Sequence, residues 1–254
     1  MLTAALWGLF AGGALLVGAV LALVLPIPLR VVGAVMGFGS GVLVSAVAFE
    51  LTAEAIASAG LVVVTVGLIS GALVYLAGDW AISNAGAHRR KSPLHGGTHP
   101  SAYADPPVKA AAAPAAALVL GALLDGIPES AAIGISLLDG EGVGLAFVAA
   151  VFLSNVPESM AASAGLKASG RSGRSILSLW LAVALASSVA AALGFGVLGD
   201  TGPSVLGGIQ AFAAGGVLAM LATTMLPEAV EHAGRLVGLV TVLGFAAAVL
   251  LGEI

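Results

Sequence analysis

Two short stretches carry residues that could do chemistry: "LDGIPESAA" at residues 124–132 and "LSNVPESMA" at residues 153–161. Each lies inside a long apolar run, where ionisable side chains are rare. Asp125 and Glu129 are four residues apart, and Asn155 and Glu158 three apart, spacings that put each pair on one face of a helix. Pro128 and Pro157 have no N–H to donate, so each frees the carbonyl one turn earlier, at Leu124 and Leu153, and bends its helix. Two such helices facing each other would form an oxygen-rich cage of three carboxyls, one amide and loosened backbone oxygens. An ionised acid at the centre of a membrane helix costs roughly 2.5–3.5 kcal/mol, so three would cost on the order of 8–10 kcal/mol. No Lys or Arg occurs between residues 110 and 166 to offset this, which leaves protons, water or a bound cation. A divalent metal answers best, with Asp125, Glu129, Asn155 and Glu158 as its ligands and water completing the shell. The competing reading is polar glue between helices, worth about 1 kcal/mol. Glue needs neither three acids nor two prolines in register.

The elements that must position these residues are membrane spans. The chain is 59% hydrophobic and only 9% charged over 254 residues, with a mean hydropathy of +1.12, outside the range of ordinary globular domains. Apolar runs over residues 3–25, 31–56, 61–83, 110–138, 143–166, 175–198, 204–232 and 235–252 predict an all-α integral membrane protein with eight transmembrane helices. Residues 1–254 thus read as one transmembrane domain. Arg30, Arg89, Arg90, Lys91, Lys109, Lys167, Arg171, Arg174 and Arg235 all follow odd-numbered spans, so the positive-inside rule places those loops in the cytoplasm and both termini outside. The first 25 residues contain no Lys or Arg, which predicts a retained helix in place of a cleaved signal. With no cysteine in the chain, thiolate ligands and disulfides are excluded. Residues 84–109, rich in Pro, Gly and charge, predict a flexible cytoplasmic loop. His88, His95 and His99 within it either bind transition metals weakly or are simply solvated.

The chain also repeats itself. The two central stretches share the pattern L-x-x-[IV]-P-E-S-x-A, and a fainter pair, "SGVLVSAVAFELTAEAIASAG" ending at Gly60 and "GGVLAMLATTMLPEAVEHAG" ending at Gly234, falls in the second and seventh spans. The loop charges make the members of each pair run in opposite directions. The expected architecture is therefore an inverted 3+2+3 repeat bundle, an arrangement common among secondary transporters with sites at the repeat junction.

Paired P-E-S motifs on adjacent central helices, eight spans with outward termini and a His-bearing loop after the third span resemble the ZIP (Zrt/Irt-like) divalent metal transporters, over essentially the whole chain. In that family the fourth and fifth helices carry H-N-x-P-E-G or a variant. Asp125 stands where the first histidine is usual, Gly126 where the asparagine is, and Glu129 matches the glutamate. In the second motif Ser154 replaces the histidine, while Asn155 and Glu158 match; Ser130 and Ser159 replace the glycines. The resemblance implies alternating access, with helices one, four, five and six moving against two, three, seven and eight. It also implies a homodimer in the plasma (inner) membrane. Losing both histidines leaves a harder oxygen donor set, which leans toward Mn²⁺ or Fe²⁺ over Zn²⁺. Gly126 supplies no ligand, and Thr223 and Thr224 stand where an acid from the seventh span could serve a second metal, so one metal is expected.

Other polar residues have simpler readings. Glu50 and Glu54 reach toward headgroups or attract cations, and Glu228 and His232 form either an inner release site or an interfacial pair. The expected function is uptake of a divalent cation (Zn, Mn or Fe) toward the cytoplasm, without nucleotide hydrolysis, since no P-loop occurs. A membrane metal sensor or a transport-inactive ZIP-like protein is the alternative. An intramembrane metal hydrolase is disfavoured because no H-E-x-x-H occurs, and nothing in the chain suits nucleic acid.

Overall fold

The computed structural model describes residues 1–84, 115–138, 144–198 and 201–252, and every regular element among them is a helix. The expected loop over 84–109, with His88, His95 and His99, lies outside these residues except for Asn84. In chain order the helices are α1 Leu2–Val24, α2 Leu29–Ala59, α3 Leu61–Asn84, α4 Ala115–Ser136, α5 Leu145–Ala168, α6 Gly173–Leu198, α7 Pro203–Ala233 and α8 Leu236–Gly252. They coincide with the apolar runs to within a few residues wherever residues are described. Six of them, α1, α2, α3, α5, α6 and α7, are long and apolar enough to cross a bilayer. Outside that set fall the shorter apolar stretch Leu236–Leu250 of α8 and the acid-bearing α4. The chain is thus a multi-pass helical membrane protein.

Burial separates inner from outer helices. Of the apolar windows of α2, α5 and α7, 61–67% is buried, against 22–39% for α1, α3 and α6. The inner helices carry the polar motifs; the outer ones are nearly featureless apolar rods whose free faces suit lipid. Close approach depends on small residues. A Cβ on Gly8 of α1 would lie 2.6 Å from Ala191 Cβ of α6, one on Gly33 of α2 would lie 2.7 Å from His232 Cβ of α7, and one on Gly67 of α3 would lie 2.8 Å from Ala211 Cβ of α7.

These contacts also fix direction. Ala11 and Leu23 of α1 meet Asn155 and Lys167 of α5, so α1 and α5 run parallel. Glu50, Gly39 and Val32 of α2 lie by Phe147, Ser154 and Met160 of α5, so these two run antiparallel. Extended to the other helices, odd-numbered helices run one way and even-numbered ones the other. Lys167 in the last turn of α5, and Arg30, Arg171, Arg174 and Arg235, which follow odd-numbered helices, therefore gather at one end of the bundle. There Lys167 Nζ donates to the Leu23 carbonyl at 2.8 Å, satisfying an oxygen that the end of α1 leaves open.

The packing falls into two sets. In the first, α1 packs on α5 and α6, and α6 on α4; in the second, α3 packs on α7, α8 on α2, and α2 on α7. The main contacts between the sets are α2 with α5 and α4 with α7. Both α2 and α7 widen into a π turn near the same point, at Val47–Thr52 and Leu221–Met225. Both end on a glycine in the left-handed region, Gly60 at φ 79° and Gly234 at φ 69°, where a side chain would be strained.

Candidate functional site

The prolines of both central motifs lie inside continuous helices, Pro128 in α4 and Pro157 in α5. The acid that follows each is buried: Glu129 is 2% exposed and Glu158 9%. Other polar residues buried in the core are Ser130 of α4, Ser154, Asn155, Ser159 and Ser163 of α5, Ser187 of α6 and Ser40 of α2. Three of these serines turn their hydroxyls back to their own helix, Ser40 to Met36 O at 2.8 Å, Ser154 to Val151 O at 2.9 Å and Ser159 to Asn155 O at 2.8 Å. Such bonds satisfy a hydroxyl in an apolar setting and ease a helix toward bending.

The backbone at the α5 proline is arranged unusually. Pro157 denies the Leu153 carbonyl its helical partner, and α2 passes that oxygen at Gly39, where a Cβ would stand 3.2 Å away. Any side chain here would push α2 off the freed oxygen. A loosened carbonyl, Ser154 and the glycine of a neighbouring helix thus meet at one depth, beside the Asn155–Glu158 face. Asn155 is oriented from the other side, its Nδ2 donating to the Ala11 carbonyl of α1 at 3.2 Å. With the nitrogen so engaged, the amide oxygen is the atom left to meet a cation. Holding a ligand through its second polar atom is how neighbouring groups aim a metal site.

On α4 the position equivalent to Asn155 is Gly126, where a Cβ would find Ser187 Oγ of α6 at 3.5 Å. Asn155 and Gly126 thus face α1 and α6 respectively. The helix backbone includes Asp125, but its side chain lies outside the described residues. Of the four expected ligands, Glu129, Asn155 and Glu158 are placed in the core. Among the described residues no three His, Asp or Glu side chains come together as a metal-holding group.

The other residues singled out in the sequence are placed as follows. Glu50 is half-buried and its Oε2 accepts the Phe147 N–H at 3.2 Å; Glu54 is exposed, and its Oε2 accepts from Gln210 Nε2 of α7 at 3.3 Å. His232 is buried against Gly33, and its Nδ1 lies 2.7 Å from the backbone carbonyl of Glu228, so its packing is that of a core histidine. Thr224, in the π turn of α7, pairs with Tyr75 of α3 at 3.3 Å, and Thr223 bonds back to Ala219 O at 2.8 Å. Sequence reading missed Tyr75 and Gln210. Each sits in an apolar run where only its polar tip signals a partner on another helix.

No protein-family model matches the chain, and no curated protein matches it.

Proposed function

We propose that this protein is a secondary transporter that carries a divalent transition metal cation toward the cytoplasm by alternating access, as its resemblance to the ZIP transporters suggests. The burial of Glu129 and Glu158 on the two proline-bearing helices α4 and α5 carries the reading. Side chains that costly at membrane depth are retained for work that charge must do. In this reading Glu129, Glu158, the Asn155 oxygen and Asp125 form the cation's path, with Zn²⁺, Mn²⁺ or Fe²⁺ as cargo. The oxygen-only donor set favours the harder ions.

The architecture we propose is eight spans in an inverted 3+2+3 repeat, and the packing supports it. Setting α1, α2 and α3 against α6, α7 and α8, and α4 against α5, pairs each major contact with a counterpart: α1–α5 with α6–α4, α3–α7 with α8–α2, and α2–α5 with α7–α4. The glycine contacts repeat in detail. Gly71 of α3 lies on the Phe212 carbonyl of α7, and Gly244 of α8 on the Phe38 carbonyl of α2. By the positive-inside rule the end bearing Lys167 and Arg235 faces the cytoplasm, both termini lie outside, and the membrane is the plasma (inner) membrane. A homodimer belongs to the same proposal on resemblance alone.

The alternative is a membrane metal sensor, which would bind the same cation without moving it. Uptake of Mn²⁺, Fe²⁺, Zn²⁺ and Cd²⁺ into proteoliposomes separates the two. A transporter accumulates metal and loses this in Glu129→Ala and Glu158→Ala; a sensor binds metal without accumulating it, and that result would overturn the proposal.

A further inference from the structure

Several hydrogen bonds between described helices fall within one packing set. Asn155 to Ala11, Lys167 to Leu23, Ser188 to Ala5 and Trp180 to Ser163 join helices of the first set, and Gln210 to Glu54 and Tyr75 to Thr224 join helices of the second. Glu50 to Phe147 crosses from α2 in one set to α5 in the other. Its donor is one of the first N–H groups of α5, which no residue of that helix can satisfy, and the positive end of the helix dipole faces the carboxylate. The acceptor comes from the π turn of α2, where the helix is already widened. Gly144, the residue before α5, closes the pocket: a Cβ there would run into Glu50 Oε2, although its backbone at φ −61° would accept one.

At the opposite end of α5 a small cavity lies between the same two sets. Ala22, Leu25 and Ile27 from the α1 end, Leu29 and Val32 of α2, and Met160, Ala161 and Ala164 of α5 surround an apolar cavity of about 100 Å³. The position in α7 that corresponds to Glu50 is Thr224, whose partner Tyr75 belongs to its own set. The repeat thus has an acid at this position in α2 and a hydroxyl in α7.

We infer that Glu50 is a latch: its carboxylate, held by the Phe147 N–H and seated against Gly144, locks the two sets together at the α5 N-terminal end, and the conformation described is closed at that end and cleft at the other. This rests on the alternating-access reading, in which that end faces outward. Glu50 acts here as a positioning residue and touches no cargo. Releasing the bond lets α5 swing from α2 and opens a way down to Ser154, which is buried against Gly39.

The chain contains no cysteine, so Ser154→Cys supplies a single reporter thiol in the full-length protein. The reconstituted protein is treated with a membrane-impermeant charged methanethiosulfonate from either face. In the Glu50→Ala and Gly144→Ala backgrounds, labelling from the α5 N-terminal face rises on the order of tenfold, the shift in a two-state equilibrium expected for losing one charge-assisted hydrogen bond. Glu50→Gln keeps an acceptor oxygen and stays slow. The latch is overturned if both alanine variants label at the native rate, if labelling rises equally from both faces as for a merely loosened helix cap, or if Glu50→Gln labels as fast as Glu50→Ala. Two variants on different helices guard against a misfolded one, which gel filtration identifies. Labelling needs no metal: a responsive thiol without metal uptake in the native protein would sink the transport reading and leave the latch standing.

Discussion

Replacing Glu129 and Glu158 by glutamine asks directly whether the core acids are kept for work or for cohesion. Glu129 is 2% exposed, and glutamine matches its volume and keeps an acceptor oxygen while removing the charge. If an ionised acid at this depth costs roughly 2.5–3.5 kcal/mol, and the swap weakens a hydrogen bond worth about 1 kcal/mol, then Glu129→Gln gains about 1.5–2.5 kcal/mol. At about 2–4 °C per kcal/mol for a chain of this size, the midpoint of thermal unfolding in detergent with chelator rises by roughly 3–10 °C. Adding metal at a hundred times its Kd stabilises the native protein by about 2.7 kcal/mol, and the variant loses this response. The double variant tells whether the acids face each other. Groups more than about 7–10 Å apart act additively within about 0.5 kcal/mol, whereas converging carboxylates repel, so removing the first relieves most of the cost of the second. Expected, therefore, are two single variants that each raise the midpoint and a double variant that gains clearly less than their sum. A fall in the midpoint for either single variant would make the acids structural glue, and strict additivity would deny that α4 and α5 bring them together.

Three further outcomes follow from particular contacts. Trp180→Phe removes a buried bond from Nε1 to Ser163 Oγ of 2.8 Å and leaves the hydroxyl in an apolar pocket, so it lowers stability by about 1–3 kcal/mol, read as a lower unfolding midpoint with metal uptake retained. Gly41→Ala drives a Cβ onto the Thr241 carbonyl of α8, a backbone atom that cannot turn aside, and costs at least about 1–3 kcal/mol, seen as a lower midpoint or reduced monodisperse yield. Asp125→His restores a nitrogen donor and shifts competition uptake toward Zn²⁺ over Mn²⁺; unchanged selectivity would remove Asp125 from the ligand set.

What the sequence made legible is what solvent dictates. Lipid demands unbroken apolar runs with every backbone group satisfied within the helix, so helices show as hydropathy alone and their limits agree with α1 to α8 within a few residues. The buried acids and the prolines beside them were equally plain, since each breaks the apolar rule. The glycines ending α2 and α7 stood out only because the two stretches matched. The π turns left no trace in composition: one extra residue in a turn changes neither hydropathy nor propensity, and only packing reveals it. The partner of Glu50 was hidden for a related reason. From the sequence it is an acid near a helix end, and headgroups were its natural partner; its actual partner is an N–H ninety-seven residues away, brought there by the antiparallel packing of α2 and α5. His232, for which the sequence left an inner release site and an interfacial pair open, is buried beside Gly33 with its Nδ1 on the Glu228 carbonyl.

The joints after α2 and α7 have a mechanical consequence. Gly60 alone separates α2 from α3, and only Gly234 and Arg235 separate α7 from α8. Connections so short have no slack, so torque on an outer rod passes undamped to the inner one. The faces of α3 and α8 that bear Val62, Val66 and Leu73, and Leu239, Val242 and Leu243, are open to the surrounding acyl chains. A thinner or thicker bilayer would tilt those rods to match it and thereby load α2 and α7. Lipid chain length would thereby bear on the inner helices through the outer ones.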